Sequence, residues 1–316
     1  MTWAVSLFLA ALEAEDRPAG PGLQEVDRLE VLAAQVALEG AGFSAGLLDG
    51  ILGQKTETAL RGFQQAAHLN VTGTMDDVTM AALKVSPESC TTTYTVTRAD
   101  ELQVSYCPPD WIEKSQRERL LYPSFVNMLA EKFHTSERCL TWLNSAKDLS
   151  LLKAGDSLVV PVPRDRGPVK SPAALEIDLE RKIVFLLDKD SRVQGLLHCS
   201  VARDISIVQR GEARVVTIVE EPGYTFDPQK WPEVKTVDRK LSIPAGPRSP
   251  VGLRWIGLDT PGVGIHGTPE PENIGKTGSH GCFRLTNWDA VYLASAVKVG
   301  TMVRIIDTSK LGQPPY

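Results

Sequence analysis

The chain is short of the features that mark several large classes of protein. Its 316 residues contain five cysteines, and none of these are spaced as C-x-x-C, which argues against a structural zinc site. No apolar stretch approaches the ~20 residues that a membrane-spanning helix needs. Lysine and arginine are dispersed and the formal net charge is −5, so the sequence gives no reason to expect nucleic-acid binding.

The odd number of cysteines means that at least one thiol has no partner within a monomer. Cys282 is the candidate for that free thiol. Cys90, Cys107 and Cys139 lie in the middle third and could contain one disulfide if the protein is exported.

Residues 1–22 read as a leader and linker that end in a Pro- and Gly-rich stretch. Residues 1–12 are apolar, but no Lys or Arg precedes the apolar run, so they make a poor signal peptide. Two interpretations stay open, namely the remnant of an export signal with a mis-set start and a frayed leader to the first domain. Any proximity to a membrane would come only through this leader. The last residues, 309–316, are taken as a tail.

The first domain is predicted over residues 23–85 as a small all-α unit of three helices. Apolar residues recur with helical spacing between Val26 and Ala37, and further helices are expected over residues 54–68 and 75–83, with Asp76 as a cap. The segment carries the pattern GF…G-x-x-D-G-x-x-G-x-x-T-x-x-A-L-x-x-F-Q, followed by a T-G-x-x-D-x-x-T turn. The matching residues are Gly42, Phe43, Gly46, Asp49, Gly50, Gly53, Thr56, Ala59, Leu60, Phe63, Gln64, Leu69, Thr72, Gly73, Asp76 and Thr79. This pattern resembles the peptidoglycan-binding type 1 domain; the alternative is a generic helical bundle.

The second module is predicted over residues 92–163, after a polar linker. It opens with the strand-like Y-T-V at Tyr94, continues with helical residues 125–133, and closes with L-x-x-G-x-x-L-x-V-P at residues 152–161. This order resembles a LysM carbohydrate-binding module and implies an α+β fold. The departure from that pattern is an insertion, residues 104–122, between the first strand and the first helix. The insertion leaves sugar binding open even if the fold holds.

Residues 174–308 are predicted as a mostly-β domain. Alternating or continuous apolar runs predict a hairpin over residues 175–187 and further strands over residues 195–201, 214–220, 252–256 and 303–306. One helix is expected over residues 288–297, after a Thr286-Asn287 cap.

Residues 264–290 concentrate the reactive side chains of this domain. Cys282 lies near His266 and His280 within a Gly-rich frame, and a nucleophilic cysteine needs a neighbouring imidazole to form its thiolate. His280 lies two residues before Cys282, whereas His266 reaches it only if the intervening loop folds back. Spacing cannot choose between the two histidines. The other interpretations are a buried structural cysteine and a zinc site made by these three residues.

The same stretch carries a long signature, I-H-G-T followed by S-H-G-C-F-R-L-x-N-x-D-A. The matching residues are His266, Gly267, Thr268, Ser279, His280, Gly281, Cys282, Arg284, Leu285, Asn287, Asp289 and Ala290. Residues 243–256 and 299–305 add an upstream P-A-G-P-R-S-P-V-G-L-R-W segment and a closing strand. The sequence resembles the L,D-transpeptidases with a YkuD-type catalytic domain, which implies a β-sandwich with one helix.

The resemblance implies roles for five catalytic residues. Cys282 would be the nucleophile and His266 the general base, oriented by the backbone carbonyl of Gly267. His280 would line the site. Backbone N–H groups at Gly281 and Cys282 would form the oxyanion hole.

Three further residues are implied in substrate binding or support of the site: Arg284, Ser279 and Asn287. Arg284 could instead pair with Asp289, and Ser279 could only cap a turn. No cofactor and no metal ion are implied.

The implied activity is acyl transfer on peptidoglycan stem peptides through a thioester on Cys282, with stem peptides and glycan as partners. The products would be cross-links between the third residues of two stems, or proteins attached to stems. Water as acceptor would make the enzyme an L,D-carboxypeptidase. The alternatives are another cysteine hydrolase of the cell wall and a non-catalytic wall-binding protein. Such substrates imply export to the periplasm or cell envelope, and the oligomeric state stays open.

Overall fold

The computed structural model describes residues 27–164, 166, 171–231 and 234–308. The predicted leader, residues 1–22, and the predicted tail, residues 309–316, lie outside the described residues, as does the start of the first domain. Three units follow one another along the chain: a helical first module, a mixed second module and a sheet-based third domain. Within the described ranges, no helix combines the length and apolarity that would be needed to cross a membrane.

The first module contains the three expected helices. They are α1 (Arg28–Gly40), α2 (Gln54–Ala66) and α3 (Asp77–Leu83). Asp76 caps α3 by accepting a hydrogen bond from the Thr79 amide, as predicted. The Asp-Gly turn between α1 and α2 is held by the buried Gln35, whose carbonyl oxygen accepts from the amides of Asp49 and Gly50 at 2.9 and 2.8 Å. The Gly-Asp motif therefore serves the packing of this turn.

The second module has a β-α-α-β order with an insertion. Its elements are β1 (Thr91–Thr95), α4 (Arg98–Glu101), α5 (Trp111–Ser115), α6 (Phe125–Lys132), α7 (Glu137–Leu143) and β2 (Ser157–Pro161). Strands β1 and β2 pair antiparallel, and the two main helices α6 and α7 pack against them around a core that includes Leu129, Leu140 and Leu158. The insertion contains the short helix α5, which lies outside this core.

The third domain is mostly β, as predicted, with one α-helix among its described residues. Its elements are β3 (Ala174–Asp178), β4 (Ile183–Leu187), β5 (Val193–His198), β6 (Gly211–Glu220), β7 (Tyr224–Phe226), β8 (Leu241–Ile243), β9 (Arg254–Leu258), β10 (Gly264–His266), β11 (Phe283–Arg284), α8 (Asn287–Ala296) and β12 (Met302–Ile306). Thr286 caps α8 by accepting from the Asp289 amide. Strands β7 and β8 form a separate hairpin.

The remaining eight strands form one sheet, in the order β11-β10-β9-β6-β12-β3-β4-β5. The two halves of the expected β-sandwich are therefore joined into one sheet, and both contribute to the same core. The reason is the long strand β6, whose first residues pair with β12 and whose later residues pair with β9. A register shift between Val215 and Thr217 lets one strand serve both halves.

The outer strands of this sheet are apolar on both faces because each face is covered. On β4, Val184 and Leu186 face the core beneath α8, whereas Ile183, Phe185 and Leu187 face the first module. Helix α2 packs over β5, and the backbone of Phe43 pairs with that of Leu196. The apolar run of β4 is therefore continuous because the first module covers its second face.

A buried ionic cluster joins the three units. The Arg166 guanidinium contacts Glu39 of α1 at 2.9 Å and Asp289 of α8 at 2.5 Å, and all three side chains are buried. His134 of the second module lies 2.7 Å from the same Glu39 carboxylate and stacks on Trp288 at 4.9 Å between ring centroids. Burial alone raises the pKa of Glu39, but the charges of His134 and Arg166 outweigh it and hold that pKa below its usual value. The expectation that His134 is a surface residue is therefore wrong, because it lies in an interface between units.

All five cysteines lie among the described residues, and each is a free thiol. Cys90 and Cys139 are buried, and burial raises the pKa of both. The disulfide considered for the middle third is not formed. Cys199 and His198 are buried in or beside the sheet, which confirms that they are packing residues.

Candidate active site

Two short parallel strands bring the reactive residues together. Strand β10 pairs with β11 so that Ile265 lies opposite Phe283 and His266 lies opposite Arg284. Ile265 and Phe283 are fully buried in the core, so His266 and Arg284 point to the other face of the sheet. Cys282 lies in the bend that directly precedes β11, two residues before Arg284. The loop between the strands folds back, as catalysis by His266 requires.

His266 is held in one orientation. Its Nδ1 atom lies 2.7 Å from the carbonyl oxygen of Gly267, and its ring stacks on Trp255 at 5.6 Å with an interplanar angle of 16°. A carbonyl can only accept, so Nδ1 carries the proton and the neutral ring keeps Nε2 as an acceptor. Burial lowers the pKa of His266 from 6.5 to about 4, against the opposing effect of the Gly267 hydrogen bond. The residue is thus a neutral imidazole at physiological pH.

Cys282 is half-buried at the start of β11. Its Sγ atom lies 3.5 Å from the carbonyl oxygen of Gly262. Burial raises the pKa of the Cys282 thiol, whereas the charges of Lys230 and Arg284 act in the opposite direction. This differs from the expected lowered pKa, because desolvation outweighs the nearby cations. A base must therefore take the thiol proton as the sulfur attacks.

His280 lies at the rim of the site. Its side chain is exposed and packs on Trp231 at 4.3 Å between ring centroids. The backbone between His280 and Cys282 is a bend rather than a strand, so the shared face expected of residues two apart does not apply. The structure thus places His280 where it can line the cleft.

The turn before Cys282 is tied together by Ser279. The Ser279 hydroxyl donates to the carbonyl oxygen of Cys282 at 2.5 Å and accepts from the Gly281 amide at 3.2 Å. Gly281 has a φ of +139°, which other residues rarely adopt. Because its amide is bonded within the turn, Gly281 can serve an oxyanion hole only if that bond breaks, and its role stays a prediction.

Arg284 is anchored on the same loop. Its Nη2 atom donates to the carbonyl oxygen and the hydroxyl of Thr277 at 2.7 and 3.0 Å. Asp289, the alternative partner, contacts Arg166 instead. Burial lowers the pKa of Arg284, and its positive charge lies near enough to Cys282 to favour the thiolate. The guanidinium is therefore placed at the site, beside the sulfur.

Asn287 lies beneath the cleft rather than in it. It is fully buried at the start of α8, and its carbonyl oxygen accepts from the Leu253 amide at 3.0 Å. Its amide nitrogen donates to the carbonyl of Pro247 and to the Glu131 carboxylate. A Cβ atom on Gly267 would lie 2.2 Å from this side chain, so the glycine is required for the close approach. Asn287 supports the loop beside His266 and is not exposed to a substrate.

Comparison with known proteins agrees with this geometry. Residues 172–305 match the family model described as "L,D-transpeptidase catalytic domain". The chain carries an L,D-transpeptidase catalytic domain. Residues 27–83 match the model described as "Putative peptidoglycan binding domain", which agrees with the helical first module. The prediction of an enzyme domain of the L,D-transpeptidase type, preceded by a peptidoglycan-binding domain, is confirmed.

Named relatives point the same way. The chain is similar to "Putative L,D-transpeptidase YqjB" of Bacillus subtilis, with 34% identity over 38% of this chain and 64% of the relative. It is also similar to "Probable L,D-transpeptidase ErfK/SrfK" of Escherichia coli, with 48% identity over 52% of this chain and 53% of the relative. The chain thus spans between half and two thirds of these relatives. A solved L,D-transpeptidase from Xylanimonas cellulosilytica is 18% identical over 92% of this chain and all of that one, and its TM-score of 0.37 supports no further conclusion.

Two tryptophans that contact the histidines of the candidate site were not predicted from the sequence. Trp255 lies directly opposite His266 in the β9–β10 pairing, and Trp231 covers His280. Trp255 lies in a segment that carried the family resemblance. The sequence did not show that this residue lies across the strand pair from His266. Trp231 lies outside every motif considered, and no pattern in the sequence pointed to it.

Through the carboxyl group of Glu131, the stability of the contact between the second module and the transpeptidase domain depends on pH. Glu131 is buried, accepts from Tyr122 at 2.7 Å and Asn287 at 2.9 Å, and burial raises its pKa to about 7. A folded-state pKa above the unfolded value favours folding at low pH, and this contribution is lost as pH rises through 7.

We expect Glu131→Gln to be more stable than wild type at pH 8, by about 1–3 kcal/mol, because glutamine keeps an acceptor without a charge. Thermal unfolding at pH 5, 6, 7 and 8 measures the effect, and the difference in Tm should grow with pH. Glu137→Gln, on the exposed start of α7, serves as the control. A difference that stays constant with pH would show that Glu131 does not titrate in this range.

Proposed function

We propose that this protein is a peptidoglycan L,D-transpeptidase that uses Cys282 as its nucleophile. The observation that supports this proposal is the β10–β11 pairing, which sets His266 opposite Arg284, two residues after Cys282. The Gly267 carbonyl fixes His266 as the tautomer whose Nε2 atom can accept a proton. A neutral thiol beside a neutral imidazole fits general-base activation of a cysteine.

The first half-reaction forms a thioester. As the Cys282 sulfur attacks the carbonyl carbon of the third stem residue, its proton passes to His266 Nε2. The carbonyl oxygen becomes an oxyanion, for which backbone amides at the 279–282 turn are the proposed donors. The oxyanion then collapses, the bond to the nitrogen of the terminal D-alanine breaks, and His266 gives its proton to that amine. D-alanine leaves and the acyl group stays on sulfur.

The second half-reaction transfers the acyl group. An amine of a neighbouring stem peptide loses a proton to His266, attacks the thioester and releases the Cys282 thiol. The product is a cross-link between the third residues of two stems. An amine of a protein would give an attached protein, and water would give the trimmed stem of an L,D-carboxypeptidase.

The modules before the transpeptidase domain support a wall substrate. The first module matches a peptidoglycan-binding model, and tethering to the polymer raises the local concentration of stem peptides. We propose that the second module, with its β-α-α-β order, is LysM-like and contributes a further contact to glycan. A protein with these substrates acts in the cell envelope, outside the cytoplasmic membrane.

Product analysis tests the proposal. Purified protein is incubated with a disaccharide tetrapeptide, and the products are identified by mass spectrometry. We expect free D-alanine together with a dimer joined through third residues, and a trimmed tripeptide wherever water is the acceptor. A carbapenem-type probe should also add covalently to Cys282. The absence of both products and adduct would instead favour a non-catalytic wall-binding protein.

A further inference from the structure

The insertion of the second module, residues 104–122, packs on the transpeptidase domain through Trp111 and Leu120, whereas its end residues Val104 and Tyr122 pack in the core of its own module. The Leu120 amide donates to the carbonyl oxygen of Ala245 at 2.9 Å, and the Arg248 amide donates to the carbonyl oxygen of Leu120 at 3.2 Å. Gly246 lies between these contacts with a φ of +136°, and a Cβ atom there would lie 2.3 Å from the Leu120 oxygen. The backbone of the transpeptidase domain is thus shaped to receive the insertion.

The insertion also holds the β7–β8 hairpin. At the start of this hairpin, Arg119 makes two hydrogen bonds to the Glu221 carboxylate, at 2.5 and 2.6 Å. Leu120 lies in a core cluster with Phe226, Leu241 and Ile243. Each hairpin strand has only three residues, and a two-stranded hairpin is marginally stable alone in water. The position of the hairpin therefore depends on the insertion.

An aromatic chain leads from the insertion to the cleft. Trp111 of α5 stacks on Phe226 at 4.4 Å and packs against Trp231 at 5.4 Å. The Trp231 indole donates to the Tyr224 hydroxyl at 2.8 Å, and its ring packs on His280 at 4.3 Å. Trp111 and His280 thus both contact the Trp231 ring, and the contact with Trp111 helps to fix where that ring stands.

We propose that residues 104–122 are a positioning element of the transpeptidase cleft. Trp111 holds Trp231 against His280, and Trp231 forms the wall that a bound stem peptide contacts beside Cys282. The substrate in this statement rests on the proposed function. The second module, through its insertion, therefore takes part in the recognition of the stem peptide as well as preceding the catalytic domain.

Steady-state kinetics of a double-mutant cycle tests the coupling between the two tryptophans. Trp111→Ala should raise the KM for the disaccharide tetrapeptide about tenfold, with kcat within about twofold, because the wall is no longer held. Trp111→Phe should recover most of that loss. Trp231→Ala should raise KM by a similar factor, and the double variant should be no worse than Trp231→Ala alone. Effects that multiply in the double variant would overturn the proposal.

The control lies in the same module. Trp142 packs under the Arg28 guanidinium at 3.9 Å, away from the hairpin, so Trp142→Ala should leave KM unchanged. An equal rise in KM for Trp142→Ala would overturn the proposal, since it would show a general loss of the second module's structure.

Access to Cys282 gives a readout that does not need the proposed activity. Iodoacetamide and a bulky polyethylene-glycol maleimide are each reacted with wild type and Trp111→Ala, and adducts at Cys282 are quantified by peptide mass spectrometry. Trp111→Ala should increase the maleimide rate relative to the iodoacetamide rate by about threefold or more, as expected when a wall on one side of the thiol loosens. An unchanged ratio would overturn the proposal. If the ratio is unchanged and wild type also releases no D-alanine, the proposed function fails as well.

Discussion

Cys282→Ala should lower the release of D-alanine from a disaccharide tetrapeptide by about 10⁴-fold or more, to the level of the blank. The reason is that the thioester has no other sulfur to form on. Cys90, Cys139 and Cys199 are buried, and each has a pKa raised by burial. Cys107 is in the insertion of the second module. Cys282 directly precedes β11, the strand that pairs with the strand of His266.

The measurement is coupled detection of D-alanine, with mass spectrometry of the stem peptide. Cys90→Ala is the matched control, because it removes a thiol outside the cleft and should keep near-wild-type turnover. Cys282→Ala should sediment with insoluble peptidoglycan to the same extent as wild type, since the first module is untouched. Undiminished turnover in Cys282→Ala would refute the cysteine mechanism, whereas loss of sedimentation would show that the fold had been damaged.

Local structure in this chain could be predicted because local chemistry decides it. Asp76 and Thr286 both cap helices where the sequence placed them, because their side chains satisfy amides that the first helical turn leaves unpaired. The longer strands β3, β4, β5, β6, β9 and β12 followed from apolar runs, whereas the two- and three-residue strands β7, β8, β10 and β11 were not predicted. Strand β6 was predicted too short, because its first residues, 211–213, are Gly-Glu-Ala and carry no strand-like alternation.

Contacts between units could not be predicted, because they join residues far apart in the chain. His134 looked like a surface histidine on a helix, yet it lies between Glu39 and Trp288. Arg166 lies in a charged segment between the second module and the third domain. It is nevertheless buried at the centre of the ionic cluster, in contact with Asp289. Breaking such a buried pair typically costs about 3–5 kcal/mol, so these residues matter to stability although no local pattern marks them.

The candidate site was predictable as a set of residues but not as a geometry. The motif named Cys282 and His266, and only the parallel pairing of β10 with β11 shows how the chain brings the strand of His266 to the one that follows Cys282. The same motif suggested Asn287 for substrate, whereas the fold buries it under Gly267. Residues 104–122 stood out only as a departure from a familiar module. Their purpose becomes visible once their contacts with the β7–β8 hairpin are known.

His266→Ala should lower kcat/KM by about 10²–10⁴-fold, the usual effect of losing a general base. His280→Ala should cost less than about tenfold, because its exposed ring contacts Trp231 at the rim of the site. The two variants are compared on the same substrate, with the carbapenem-type probe as a second measure of acylation. A larger loss for His280→Ala would assign the base to His280.

The pH profile of wild type tests the same assignment independently. In the free enzyme the base must be unprotonated, and burial lowers the pKa of His266 from 6.5 to about 4. The kcat/KM of wild type should therefore stay level as pH falls through 6.5 and drop only near pH 4. The alkaline limit should lie above the usual thiol range, since burial raises the pKa of Cys282. An acid limit near 6.5 would contradict the assignment of the base to His266.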